Sequence, residues 1–143
     1  MWGILPTSER LHRILPKLYV TPACPLCNQD GRGPTEDINH ALMDCEANGA
    51  TPANLMTLLR SYQPGITTNQ VLALDMEIDP TLELPLVWII ATSLLSIWNQ
   101  RQDGSVSDVK TRAELMARCR ILKQSNDKNA FTLTSLAIGT MIN

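Results

Sequence analysis

The sequence predicts a mostly α-helical fold in which a small Cys-Cys-His-Cys knuckle is followed by a helical bundle. Three observations predict it. Signals for helix starts recur along the chain, and neither alternating apolar runs nor Asn-Gly hairpins support a sheet. Three of the four cysteines and one of the two histidines fall between residues 24 and 45. The 143 residues are 44% apolar, which is enough to build one compact core.

The chain divides into three predicted parts: a helical lead-in at residues 1–23, the knuckle at residues 24–45 and a helical domain at residues 46–143. In the lead-in, Thr7 or Ser8 is expected to cap a short helix that Pro16 stops. The helical domain opens with Thr51 as a cap and Pro52 at the first helical position, which together predict a helix start.

The rest of the helical domain is predicted from caps, prolines and apolar content. Thr67 or Thr68 starts a short helix, after which residues 75–83 form an acidic link. Residues 85–98 are apolar nearly all round and predict a central buried helix, although their β-branched residues leave a strand as an alternative. Two further helices are predicted, at residues 108–124 and at about residues 130–141.

The knuckle is predicted from four metal-ligating side chains that follow the pattern C-x2-C-x12-H-x4-C: Cys24, Cys27, His40 and Cys45. Three thiolates and one imidazole are donors that zinc prefers in a closed tetrahedral site. Thr35 is expected to cap a short helix that carries His40. Because a helix turns by about 100° per residue, Cys45 would lie about 140° around it from His40. The helix must therefore end before Cys45 if both residues are to reach one ion.

Structural zinc is favoured over other uses of these cysteines. A disulfide would fit a secreted chain, but the first residues lack a signal-peptide pattern and the cluster has an odd number of cysteines. A coincidental group of buried thiols is a second alternative. A redox C-x-x-C would need a βαβ context, and a catalytic zinc ion would need an open position. The fourth cysteine, Cys119, is expected to be a core thiol that shares the buried face of its helix with Leu115, Met116 and Leu122.

Charge is uneven along the chain, whose formal net charge is −2. Three basic residues stand against one acidic in residues 1–23, two against nine in residues 24–100, and seven against four in residues 101–143. This pattern excludes an evenly basic protein that coats nucleic acid and leaves local patches as candidates. The best-placed basic residues are those of the lead-in, which are expected to lie on one helical face because they follow i, i+3, i+7 spacing: Arg10, Arg13 and Lys17.

Several ordered segments carry a resemblance to a known family: Trp2-Gly-Ile-Leu-Pro6-Thr7 with Arg10-Leu-His-Arg13, Cys24-Pro-Leu-Cys27, Asn39-His40-Ala-Leu-Met-Asp-Cys45 and Glu83-Leu-Pro-Leu-Val-Trp88. They resemble the C-terminal zinc-binding tail of LINE-type (non-LTR) retrotransposon reverse transcriptases. Such tails carry an "LPT…RL" segment, a "CPxC" and an "HxLxxC" in that order. The resemblance implies a tail that follows an RNA-directed DNA polymerase and helps to bind the element's RNA or the target DNA. The rest of that polymerase is then an implied partner.

Two classes of function follow from the sequence. The first is a non-catalytic, zinc-structured nucleic-acid-binding module, in which RNA or single-stranded DNA lies along Arg10, Arg13 and Lys17 and stacks on Tyr19. The alternative is a helical protein-interaction module in which zinc is purely structural, which the acidic middle and the few aromatics favour. We expect no enzymatic activity, because no adjacent pair of aspartates is available to hold the two metal ions of nucleotide addition.

The sequence also predicts where the chain resides. It has no run of 18 or more apolar residues, so a membrane span is not expected. Its first residues lack the basic start and long apolar stretch of a signal peptide. We therefore expect an intracellular chain, nuclear or cytoplasmic, that is not secreted and contacts no membrane.

Overall fold

A computed structural model describes residues 5–27, 32–77 and 79–124, without the side chains of residues 82–84, 108, 119 and 121–124. The described part is mostly helical and contains no strand, only an isolated antiparallel bridge between Ala23 and Thr35. This confirms the predicted fold class of a knuckle followed by helices. Five α-helices are described: α1 (Ser8–Ile14), α2 (Thr51–Tyr62), α3 (Thr68–Ala73), α4 (Pro80–Arg101) and α5 (Asp108–Gln124). A π-helical turn (His40–Asp44) and a 3-10 turn (Glu46–Asn48) lie between α1 and α2.

Helix α1 begins and ends where its local signals place it. The Thr7 hydroxyl accepts a hydrogen bond from the backbone N–H of Arg10 at 3.3 Å, so Thr7 is the N-cap. The helix ends at Ile14, before Pro16, as predicted. Lys17 consequently lies beyond the helix, and the predicted face shared with Arg10 stops short of it. The reason is that Pro16 ends the helical repeat before the seventh position is reached.

Helix α2 differs from the prediction at its first residue. The helix begins at Thr51 itself, and Ala50 occupies the cap position without a side-chain hydrogen bond. Thr51 and Pro52 are both buried, so this end of α2 is held by packing. Helix α3 does have the expected threonine cap, because the Thr67 hydroxyl accepts from the Gln70 N–H at 3.3 Å and the Gln70 side chain accepts from the Thr67 N–H at 2.9 Å.

Helix α4 is longer than predicted, because it begins at Pro80 and has Pro85 inside it. The Asp79 carboxylate accepts hydrogen bonds from the Thr81 N–H at 2.9 Å and from the Thr81 hydroxyl at 2.8 Å. These bonds lower the pKa of Asp79. An acidic cap followed by proline at the first helical position is a strong start signal, so the predicted acidic link ends at Asp79 and the strand alternative is wrong.

The knuckle and the helices share one hydrophobic core. Leu42 and Met43 of the π turn belong to the same buried hydrophobic cluster as Leu55 of α2, Ile90 of α4 and Leu115 of α5. Helix α4 is central, as predicted for residues 85–98, and Leu86, Ile89, Ile90, Leu94 and Ile97 are each at most 2% exposed. A polar contact joins α4 to α5, where the Gln100 side chain donates to the hydroxyls of Ser96 at 2.8 Å and Thr111 at 3.0 Å.

Helix α5 occupies residues 108–124 as predicted, and Ser107 caps it by accepting from the Lys110 N–H at 3.5 Å. Leu115 is buried, but Met116 is 41% exposed, so its predicted place in the core is wrong. Successive residues on an α-helix are rotated by about 100°, so Met116 points away from the buried side that Leu115 occupies. The side chains of Cys119 and Leu122 and the predicted helix at residues 130–141 lie outside the described residues.

None of the helices in the described ranges combines the length and the apolar content that a bilayer crossing requires.

Candidate metal centre

The structure brings the four predicted ligands together. One donor atom from each of Cys24, Cys27, His40 and Cys45 lies within 4.8 Å of every other, which is close enough to bind one metal ion. The Cys45 Sγ lies 3.3 Å from the Cys27 Sγ and 3.8 Å from the Cys24 Sγ. The His40 Nε2 lies 3.4 Å from the Cys27 Sγ. Cys24, Cys27 and Cys45 are free thiols, so no disulfide joins these described cysteines.

A short antiparallel pairing sets the distance between the two halves of the site. The Cys24 N–H donates to the Pro34 carbonyl at 2.8 Å, and the Glu36 N–H donates to the Pro22 carbonyl at 2.9 Å. The chain therefore leaves Cys24, returns alongside it and enters the segment that carries His40. The Asp37 carboxylate then accepts from the His40 N–H at 2.7 Å and caps this segment.

Asp37, and not Thr35, is thus the cap of the ligand-bearing turn. The prediction of Thr35 is wrong because Thr35 is engaged in the bridge with Ala23, where its backbone is extended. Helical structure can begin only after this pairing ends. The buried Glu36 carboxylate pairs with Arg101, so the next residue, Asp37, is the one whose carboxylate caps the turn.

The π turn brings His40 and Cys45 to one side, where a regular α-helix would hold them about 140° apart. The Cys45 N–H donates to the His40 carbonyl at 2.9 Å, so the hydrogen-bonded turn spans five residues instead of four. Cys45 then leaves the turn with extended backbone, φ −68° and ψ 129°. The helix ends before Cys45, as the spacing predicted, and the wider turn brings both donors to one side. Gly49, at φ +61°, follows the 3-10 turn in the left-handed region that favours glycine.

Most of the site is closed to solvent. Cys24 is 0%, Cys45 3% and His40 9% exposed, whereas Cys27 is half-buried at the edge. The burial therefore fits a group of side chains that holds an ion inside the fold more closely than an open catalytic position.

A buried arginine that the sequence did not reveal lies beside the thiols. Arg101, the last residue of α4, donates to the Cys24 Sγ at 3.4 Å and to the Glu36 carboxylate at 2.5 Å. It also donates to the Asn48 side-chain oxygen at 3.0 Å. Sequence spacing gives no signal for this contact, since Arg101 is 77 positions from Cys24. The only hint is a cation at the end of an otherwise apolar helix.

These contacts set the proton affinities of the metal-free thiols. Burial, together with the hydrogen bond to Cys45, raises the pKa of the Cys27 thiol to about 12. Burial would also raise the pKa of Cys45, but the neighbouring Arg101 guanidinium and Cys27 thiol outweigh it, and the pKa of Cys45 is lowered. Burial would lower the pKa of Arg101, yet the nearby side chains of Cys45, Cys24 and Glu36 raise it, so Arg101 is a cation at every physiological pH.

Of the predicted nucleic-acid residues, Arg10 and Arg13 lie in α1, and Lys17 and Tyr19 lie on the segment between α1 and the knuckle. Arg13 and Lys17 are exposed, Tyr19 is 43% exposed, and Arg10 is half-buried in α1. The carbonyl oxygen of Tyr19 lies 2.6 Å from the Nδ1 atom of His12, and this contact folds the segment back on α1. Residues 10–20, which run from α1 through this contact, contain all four predicted residues and are called the lead-in turn below. The three basic residues do not form the single helical face that their spacing predicted, because Lys17 lies beyond α1.

Comparisons with protein-family models, with curated proteins and with solved structures find no match to this chain. The resemblance to the retrotransposon tail thus stays a prediction that rests on the sequence motifs.

Proposed function

We propose that Cys24, Cys27, His40 and Cys45 hold one structural zinc ion. The observation that carries this proposal is the spacing of the donors. Zinc bound tetrahedrally by thiolates at about 2.3 Å requires sulfur atoms about 3.8 Å apart. The Cys24 and Cys45 sulfur atoms are 3.8 Å apart, the Cys27 and Cys45 sulfur atoms at 3.3 Å would move slightly apart on binding, and all four donors lie within 4.8 Å of one another. Four protein ligands complete the tetrahedron, so the ion would have no open position for a substrate. Zinc would supply folding energy here, not chemistry.

We further propose that this zinc-structured module binds RNA or single-stranded DNA through the lead-in turn. Arg13 and Lys17 are exposed cations suited to phosphates, and the ring of Tyr19 is accessible to a base. Arg10 precedes them on α1 and adds a third cation to the same segment. The resemblance to the retrotransposon tails, whose role is to assist nucleic-acid binding, supports the same function.

The knuckle would orient this turn. Glu36, whose carboxylate pairs with Arg101, also accepts from the Ser8 N–H at 2.8 Å, and the Glu9 N–H donates to the Glu36 carbonyl at 3.2 Å. The N-terminus of α1 is therefore fixed to the segment that carries His40. An ion that orders this segment would also set the direction of α1, of the cations that lie on it and of Lys17, which follows it. In this proposal the module assists a polymerase and is not itself an enzyme.

The alternative function, a protein-interaction module, is favoured by apolar side chains on the same turn. Leu18 is 75%, Val20 78%, Ile14 57% and Leu15 45% exposed. Exposed aliphatic side chains that lie together mark surfaces that bind other proteins. Both functions include the zinc site, and they differ in whether the lead-in turn binds a nucleic acid or a protein.

A salt series separates the two functions. Binding of a labelled single-stranded RNA to the zinc-loaded chain is followed by fluorescence anisotropy over the range of about 50 to 300 mM salt. Contacts to phosphates release counterions, so the affinity should fall by about one power of the salt concentration for each phosphate contacted. Binding that is undetectable even at low salt would remove the nucleic-acid function and leave the interaction module.

A further inference from the structure

Arg101 is the most completely buried cation that the structure describes. It is 5% exposed, and its guanidinium donates to the side chains of Cys24, Glu36 and Asn48. Burying a charge is strongly unfavourable unless the charge is paired and hydrogen-bonded. The three partners accept hydrogen bonds from the guanidinium and so stabilise its buried charge. The question is which of the three requires the positive charge.

The charge of the metal centre supplies an answer. Three thiolates around a divalent ion leave one net negative charge inside the fold, next to Cys24, which is 0% exposed. Solvent reaches the edge of the site at Cys27 but not Cys24, so it screens the share of the charge on the Cys24 thiolate poorly. The Arg101 Nη2 atom lies 3.4 Å from the Cys24 Sγ, where an N–H donor can share the charge of the thiolate.

We propose that Arg101 is a positioning residue of the metal centre, which stabilises the metal-bound thiolate of Cys24 from the end of α4. The inference rests on the proposed zinc site. It adds a dependence that the knuckle motif does not contain: tight metal binding requires the folded helical bundle, because the bundle supplies the compensating cation. A peptide that carried only the four ligands would lack it.

The other two contacts of Arg101 connect it to both halves of the site. Asn48, which accepts from Arg101, donates from its side-chain nitrogen to the Ala41 carbonyl at 2.9 Å, inside the π turn between His40 and Cys45. Glu36 lies next to the segment that leads to His40 and anchors α1 through Ser8. One guanidinium thus contacts the side chain of a ligand and braces the turn that carries two others.

The competing explanation is that Arg101 merely neutralises Glu36. In that case the substitution Arg101→Met would act only by leaving the Glu36 carboxylate buried and unpaired. Removing both charges together would then restore zinc affinity, because the neutral amide introduced by Glu36→Gln would no longer need a cation. If Arg101 compensates the metal–thiolate charge, the double variant Glu36→Gln/Arg101→Met must still bind zinc weakly. This variant distinguishes the two roles.

The experiment measures zinc affinity of the full chain by competition with a chromophoric chelator, with far-UV circular dichroism as the check on folding. The thiolate-to-metal absorption of the Co²⁺-substituted chain reports on the three thiolate–metal bonds, including that of Cys24, which a remote packing role would not change. The control is Arg60→Met, because Arg60 also lies in the last turn of its helix but is exposed. A conservative variant, Arg101→Lys, keeps the charge and loses the planar fork.

Arg101→Met should weaken zinc binding by about 10- to 100-fold, as partners of metal ligands generally do, and should shift the thiolate-to-cobalt band. Arg101→Lys should lose less zinc affinity than Arg101→Met. The double variant should bind zinc as weakly as Arg101→Met, and Arg60→Met should bind it as tightly as the unaltered chain. Restoration of affinity in the double variant, or a loss of less than twofold in Arg101→Met, overturns the proposal. If Arg101→Met does not fold, Arg101→Lys and the double variant decide. Failure of the unaltered chain to bind zinc would instead remove the zinc site itself.

Discussion

The backbone N–H of Cys45 donates to the carbonyl oxygen of His40 at 2.9 Å and closes a turn of five residues. This bond determines whether the fourth ligand can reach the site. In a regular α-turn the two side chains would diverge by about 140°. The wider turn, with extended backbone at Cys45, lets both converge on the Cys27 Sγ, which lies 3.4 Å from His40 Nε2 and 3.3 Å from Cys45 Sγ.

The π turn also joins the site to the core, which leads to a prediction about stability. Leu42 is 0% exposed and lies within the turn, so Leu42→Ala should lower the free energy of unfolding by about 2–5 kcal/mol through lost burial and a cavity. The matched control is Leu18→Ala, because Leu18 is 75% exposed and its loss should change the free energy by less than about 0.5 kcal/mol. Urea denaturation of the zinc-loaded chains makes the comparison. Equal effects of the two substitutions would mean that the turn is not part of the core.

Metal affinity should depend on pH, because the thiols must lose their protons. The pKa of Cys27 in the metal-free chain is raised to about 12, mainly by burial, so this thiol holds its proton at neutral pH. Zinc must displace that proton, and lowering the pH therefore weakens binding. The dissociation constant should rise at least about tenfold for each pH unit on going from about pH 8 to pH 6. Chelator competition, corrected for the chelator's own titration, measures this slope, and a flat profile would contradict it.

The lead-in cations are predicted to matter more to RNA binding than those of α5. Arg10→Ala/Arg13→Ala should weaken binding of a single-stranded RNA uniformly across sequences, by an amount that grows as salt falls. Each lost phosphate contact should reduce the slope of log affinity against log salt by about one. The reason is that the knuckle fixes α1 through Glu36, so its charges are held in one place.

The matched control is the exposed pair on α5, Arg118→Ala/Arg120→Ala, which lies on the same helix as the exposed Glu114. Circular dichroism and zinc content should be unchanged in both double variants. Similar losses in the two would mean that α5 belongs to the binding surface. A larger loss in the α5 pair would show that the lead-in turn is not the main contact.

The ligand set could be predicted from sequence because its determinants are local. Only two residues separate Cys24 from Cys27, and a continuous helix would turn by about 140° between His40 and Cys45, so a break before Cys45 follows from the spacing alone. The start of α4 differs from the prediction because either of two prolines, Pro80 and Pro85, can occupy the first position of a helix. The helix begins at Pro80 because the Asp79 side chain caps it through hydrogen bonds from Thr81.

Arg101 shows why the rest could not be predicted. Its contact with Cys24 spans 77 positions and depends on how the end of α4 packs against the knuckle. No periodicity records such a contact, and a lone cation at the end of a helix is normally read as exposed. Met116 failed for a related reason: an apolar residue next to a buried face lies at its edge, and the packing partner determines whether that edge is covered.

The central claim is that one zinc ion holds the knuckle together, and elemental analysis of the purified full chain tests it most directly. We predict one equivalent of zinc per chain after metal-replete expression. Cys27→Ser should reduce the content, and chelation should loosen the ligand-bearing segments first, because the metal and the π turn connect them. A zinc content below about a tenth of an equivalent, with no metal rebound on titration, would contradict the account.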